Sequence, residues 1–347
     1  MSAAEAFKAA AATRVLVKDG AYGTMIQREG LKEAEFAGDT TLGHEQRGNN
    51  DLLNITAPTV IEGIAARFAA AGADLLATNT FNANAISQAD YGAEKLVREI
   101  NVEAAKIIRR VADAHGSDEK RIFVAGAVGP TNKTLSLSPD VSDPGFREVT
   151  FDHVKDVYRE QVEALAEGGV DFILIETIFD TLNAKAAIMA VREAEEALGR
   201  DLPIMISMTL TDLSGRNLSG HTVEGFWATI AHANPLTVGL NCSFGAEALR
   251  PHLKALTDKA PGLVMAYPNA GLPNDLGEYD EAAADTARQV SEWLDEGLVN
   301  IVGGCCGTTP EHIAAIAQVC EGASPRALPV RDDAMLLAGL ETLRVAA

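Results

Sequence analysis

Short runs of apolar and β-branched residues alternate along this chain with longer stretches whose apolar positions recur every three to four residues. The first kind predicts strands at residues 15–20 (VLVKDG), 74–80 (DLLATNT), 122–130 (IFVAGAVGP) and 171–177 (DFILIET). Four more follow at 203–210 (PIMISMTL), 237–243 (TVGLNCS), 263–271 (LVMAYPNAG) and 300–307 (NIVGGCCG). Most open as nearly continuous apolar runs, the pattern of strands covered on both faces. The second kind, as in TVIEGIAARFAAAGA and VKDVYREQVEALAEGGV, predicts amphipathic helices, several with glycine near the C-cap. Eight strand–helix units in one chain predict a closed parallel (β/α)8 TIM barrel. An open doubly wound sheet is the alternative, but neither GxGxxG nor a GxxxxGK loop occurs, so the usual nucleotide signatures of that class are missing. Two connections are too long for simple turns: residues 21–57 after the first strand and 130–149 after the third. Long loops of that kind belong on a barrel's catalytic face. One barrel domain is expected over residues 1–325; residues 326–347 lose the alternation and read as an extension.

Composition and charge narrow the functional classes. The chain of 347 residues is 47% hydrophobic and 22% charged, ample apolar material for a large core. A formal net charge of −20 repels phosphate backbones and argues against nucleic acid as a partner. No stretch approaches the ~20 apolar residues of a membrane-spanning helix, so no membrane partner is expected. The alanine-rich start, MSAAEAFKAAAATR, carries Glu5 and Lys8 and reads as a short helix rather than a signal peptide. A cytoplasmic, reducing location is therefore expected, where structural disulfides are disfavoured.

Chemistry is concentrated where the apolar runs stop. The predicted strands end in Asp19–Gly20, Thr78–Asn79–Thr80, Glu176–Thr177, Asn241–Cys242–Ser243, Asn269 and Cys305–Cys306. In a closed barrel these ends converge on one mouth. Three of the four cysteines would meet there, and soft thiolates suit zinc, with a fourth position open to substrate. Other readings of the same residues remain. Cys242 taken alone fits a small buried hydrophobe, Cys320 fits core packing, Asp19 fits a turn before glycine, and the adjacent pair fits a redox switch. The seven histidines show no HExxH spacing.

Longer strings add a resemblance. DGAYGTMIQ (19–27), GNNDLLN (48–54), ADLLATNTFNAN (73–84), GPTNKTLSLSPDV (129–141), ILIETIFDTLNAKAA (173–187), GLNCSFG (239–245), PNAGLPN (268–274) and GGCCGTTPEHIAAIA (303–317) span nearly the whole chain. With them the sequence resembles the homocysteine S-methyltransferase family, and within it the homocysteine-binding modules of cobalamin-dependent methionine synthases. The resemblance implies a TIM barrel holding Zn2+ through Cys242, Cys305 and Cys306, with the homocysteine thiol as fourth ligand and methylcobalamin as methyl donor. It implies that Asp19, Gly20 and Glu176 hold the substrate's amino and carboxylate groups, that Thr78, Asn79, Thr80 and Phe81 line the site, and that Asn269 approaches the metal when homocysteine is absent. No cobalamin-binding DxHxxG occurs, so the corrinoid is expected on a separate folate- and cobalamin-binding component, this chain being one part of a split or excised synthase. A betaine-type homocysteine methyltransferase is the alternative for the donor. A zinc or thiol redox sensor and a purely structural barrel are the alternatives for the class.

Overall fold

Alternation decides which side of each strand meets what. In the computed structural model, which describes residues 1–117, 119–330 and 334–345, the strands are β1 (Leu16–Val17), β2 (Leu75–Ala77), β3 (Phe123–Val128), β4 (Phe172–Ile178), β5 (Ile204–Met208), β6 (Thr237–Asn241), β7 (Leu263–Tyr267) and β8 (Ile301–Val302). They form one parallel sheet in the order β1-β8-β7-β6-β5-β4-β3-β2, and a further parallel bridge between Lys18 and Leu75 joins β1 to β2 and closes the ring. One set of alternating residues, including Leu16, Leu75, Ala125, Leu174, Met205, Met265 and Ile301, fills the barrel interior. The other set, including Val17, Leu76, Val124, Ile173, Ile206, Val264 and Val302, packs beneath the surrounding helices. Strands buried on both faces are what the continuous apolar runs predicted.

The helices are held by local chemistry as well as packing. Thr181–Leu198 begins where the Asp180 carboxylate accepts the N–H groups of Leu182 and Asn183, and it ends at Gly199 in the left-handed conformation. The N-terminal helix, Ala3–Ala11, carries Phe7 into the bottom of the barrel, with ring centroids 5.2 Å from both Phe123 and Phe172. No described helix is long and apolar enough to cross a membrane.

Three features differ in detail from the sequence expectation. The strands stop short of their polar ends: Asp19–Gly20, Cys242 and Cys305–Cys306 all lie past the last sheet residue. There the chain leaves the pleat to make loop contacts. Residues 21–57 are not a bare loop but contain the helices Tyr22–Glu29, Glu33–Ala37 and Leu53–Thr56. Residues 130–149 are irregular, as expected, and are anchored where Asp180 accepts the N–H groups of Leu135 and Ser136. Beyond the last barrel helix, the Arg326 guanidinium is buried on the carbonyls of Thr257, Ala260 and Gly262. The chain then forms an antiparallel hairpin of β9 (Met335–Ala338) and β10 (Thr342–Val345), whose Leu340 carbonyl accepts the N–H of Thr222. Residues 331–333 and 346–347 of the expected extension lie outside the described residues.

Candidate metal and substrate site

Counting by twos along the interior face leads upward from the apolar core to the site. Leu16 is followed on that face by Lys18, Leu174 by Glu176, Met265 by Tyr267, and Gly239 by Asn241. Lys18, Glu176 and Tyr267 line a cavity of about 820 Å3 at the C-terminal mouth, together with Cys242, Cys305 and Cys306. Cys242 has the wrong parity to face inward from a regular strand. Its φ of 62° and that of Ser243 at 65° break the pleat and bring the sulfur to the cavity. Cys305 and Cys306 arrive on a turn after β8 in which Cys305 N–H donates to the Pro268 carbonyl and Ala270 N–H to the Cys306 carbonyl. Gly307 closes that turn at φ 80°, and any β-carbon there would fall 2.3 Å from Tyr279.

The three sulfurs lie within 4.8 Å of one another, and Cys242 Sγ is 3.9 Å from Cys306 Sγ. A tetrahedral ion with Zn–S bonds of about 2.3 Å would hold its sulfurs about 3.8 Å apart, close to the Cys242–Cys306 separation, so the three thiols suit such an ion. Among the described residues this is the group of cysteine, histidine or acidic side chains able to hold a metal. Without an ion the thiols share their charge. Hydrogen bonds from Cys305 and then Cys306 hold the Cys242 thiol far below its ordinary value, while the same interactions push Cys305 and Cys306 up. A bound cation would favour the ionised form of all three thiols.

A polar wall faces the sulfurs. Glu176 is buried and accepts a 3.0 Å hydrogen bond from Tyr267 Oη. Burial raises its pKa, opposed by Lys18 and Tyr267. The Lys18 ammonium stands 4.6 Å from the Tyr267 ring centroid and 2.8 Å from Asp19 Oδ1. Burial works against its charge, but Asp19 and then Glu176 leave its pKa raised. Asp19 itself is fully buried; its other oxygen accepts the Ala77 N–H at 2.8 Å. Burial raises its pKa too, against the pull of Lys18. Both carboxylate oxygens are therefore engaged within the wall, and Asp19 does not line the cavity.

The remaining sequence candidates divide in the same way. Gly20 lines the cavity where a β-carbon would meet Phe68 and Thr308 at 2.8 Å. Thr78 and Asn79 also line it, but Thr80 is sealed behind. Thr80 Oγ1 donates to the Ala127 carbonyl at 2.7 Å, so the 2.6 Å contact with Thr78 Oγ1 has Thr78 as donor. Both hydroxyl protons are thereby used. Asn269 lies beside the thiols, its Oδ1 accepting the Cys306 N–H at 3.1 Å. Lys18, Asn241, Tyr267 and Tyr279 were given no role from the sequence, Asn241 being named only as part of a strand end. Period-two counting reaches the first three; Tyr279 comes from the loop after β7 and carried no such signal.

Known proteins share this fold. Residues 16–320, which contain all eight barrel strands and the three clustered cysteines, match the homocysteine S-methyltransferase family. Among solved structures the chain is similar to the homocysteine methyltransferase MmuM from Escherichia coli. The metallated form of that protein aligns with a TM-score of 0.67 and 22% identity over 88% of this chain and 96% of the other. Its oxidized form gives 0.66 and 22% over 88% and 95%. Identity at this level bears on the fold, and the fold is shared. The chain belongs to the homocysteine S-methyltransferase family.

Proposed function

We propose that this chain is the homocysteine-activating component of a cobalamin-dependent methionine synthase, in which methylcobalamin is presented by another module or protein. The observation that carries the reading is the meeting of Cys242, Cys305 and Cys306 at a cavity that also exposes Glu176. Those three residues would hold Zn2+. When bound there, zinc lowers the pKa of a substrate thiol so that thiolate is present at neutral pH without a general base.

The protein's own groups do the rest. Glu176 has one oxygen on Tyr267 and takes the substrate ammonium with the other, a charge-assisted bond that orients the sulfur toward the cysteines. The helix Tyr22–Glu29 starts at Ala21 without a side-chain cap, and residues 20–24 line the cavity. Its first N–H groups and its dipole receive the substrate carboxylate. Asp19 acts one step back by anchoring Lys18, whose charge offsets that of Glu176. The cavity is far larger than one amino acid needs, and its outer part admits the methyl donor. The strings at residues 129–141 and 268–274 favour the cobalamin-dependent branch over a betaine-type enzyme.

The test is methionine formation by the zinc-loaded protein from homocysteine with either free methylcobalamin or betaine. Turnover with methylcobalamin alone supports the proposal; turnover with betaine alone overturns the donor. In the same assay Glu176→Gln should raise KM for homocysteine roughly 10- to 100-fold, as loss of a charge-assisted bond implies. An unchanged KM would remove Glu176 from substrate binding.

A further inference from the structure

The side chain of Asn241, at the end of β6, is almost fully buried and has every hydrogen-bonding position filled. Its Oδ1 accepts the Thr177 N–H at 3.1 Å and the Ser207 hydroxyl at 2.6 Å. Its Nδ2 donates to Thr177 Oγ1 at 2.8 Å and lies 3.8 Å from Cys305 Sγ. The amide cannot be turned round. A backbone N–H only donates, so the atom facing Thr177 N must be the oxygen, and the amino group is left aimed at the sulfur. One side chain thus ties β4, β5 and the turn after β8 together.

Both ends of that tie matter to the site. Thr177 follows Glu176 directly and has a φ of 57°, unfavourable for a β-branched residue unless its surroundings enforce it. The two bonds from Asn241 to the Thr177 backbone and hydroxyl supply that enforcement. At the other end, an N–H pointed at a sulfur fixes its direction and draws electron density from it when it is a thiolate.

We infer that Asn241 is a positioning residue that aims the Cys305 sulfur at the metal position while holding Thr177, and with it Glu176, in place for the substrate. The inference rests on the metal-binding reading of the three cysteines. Asn241→Asp is the discriminating variant: it keeps the shape and the acceptor toward Thr177 N, but replaces the donor facing Cys305 with an oxygen. Ser207→Ala is the companion, because it removes one bond to Asn241 and leaves the N–H on the sulfur.

The experiment loads each full-length protein with Co2+, records the thiolate-to-cobalt charge-transfer absorption, and measures metal loss to a chelator. Asn241→Asp should shift the absorption and hold the metal roughly 10- to 100-fold more weakly, whereas Ser207→Ala should stay near the wild type on both counts. Superposable spectra and equal retention for Asn241→Asp and wild type would overturn the role of Asn241 alone. Equal shifts in both variants would also overturn it, since they would report general loosening of the mouth. Absence of the band from the wild type would sink the three-cysteine reading and this inference with it.

Discussion

The two ends of the barrel solve opposite problems with the same strands. At the bottom, Phe7, Phe123 and Phe172 make a dry aromatic plug, and Arg14 grips Asp74 through two bonds of 2.7 and 2.8 Å. Four residues up β4 from Phe172 stands Glu176, and at the mouth Lys18, Asp19 and three thiols are crowded into partly dehydrated space. The backbone follows suit. Of the four non-glycine residues with positive φ among those described, three (Thr177, Cys242 and Ser243) belong to the mouth. A bottom built of regular strands and apolar contacts supplies stability. The mouth gives up some of that stability to hold charges and left-handed residues where chemistry needs them.

The sharpest break in this division should come from Cys305→Ser. The variant should lose bound zinc and all measurable methyl transfer, yet unfold at nearly the wild-type denaturant concentration when both proteins are compared without metal. Metal analysis and urea titration check the two halves. Full zinc occupancy in the variant would refute the ligand assignment.

Phe7→Ala probes the other end and should do the reverse. Phe7 is fully buried, and removing a buried phenylalanine ring costs about 3 kcal/mol or more. The measured free energy of unfolding should fall by about that amount while KM for homocysteine stays constant. A raised KM would mean that the plug and the mouth are mechanically coupled rather than separate.

The same contrast explains what could be read from the sequence. Eight apolar runs gave the barrel because both faces of its strands are buried, and the bottom needs nothing else. Glu176 and the cysteines announced themselves as polar interruptions of those runs. Lys18, Tyr267 and Asn241 were within reach of period-two counting from Leu16, Met265 and Gly239, but an inward lysine beside an aspartate draws the eye to the aspartate. That Asp19 spends both oxygens on Lys18 and Ala77 is a tertiary fact, since Ala77 is 58 residues away. The path of Cys242 was equally hidden, because strand parity points it outward and only a left-handed turn brings it back. Tyr279 reaches the thiols by the close approach of two loops, which no local pattern encodes.

The smallest expected effect concerns Asp51, another charge held at the mouth rather than the bottom. Its carboxylate is buried beside the cavity and accepts the Asn82 N–H at 2.9 Å, and burial pushes its pKa up to about 7 despite that bond. Two asparagines staple the same loops: Asn54 Nδ2 donates to the Asp51 and Asn79 carbonyls, and Asn79 Nδ2 to the Asn50 carbonyl. An acid whose pKa is higher in the folded chain binds more protons there than in the unfolded chain between the two values. Stability should therefore fall as pH rises from the ordinary aspartate range toward 7, and level off above it. Asp51→Asn removes this contribution and should gain on the order of 2–3 kcal/mol relative to the wild type between pH 5 and pH 8. Asp19 and Glu176, both raised by burial, act with the same sign, so the variant's slope should shrink without vanishing. Urea titrations at pH 5, 6, 7 and 8 on metal-loaded protein measure the difference. Parallel curves for the two proteins would show that Asp51 is ionised in the fold at no cost, and that the mouth tolerates charge better than its burial implies.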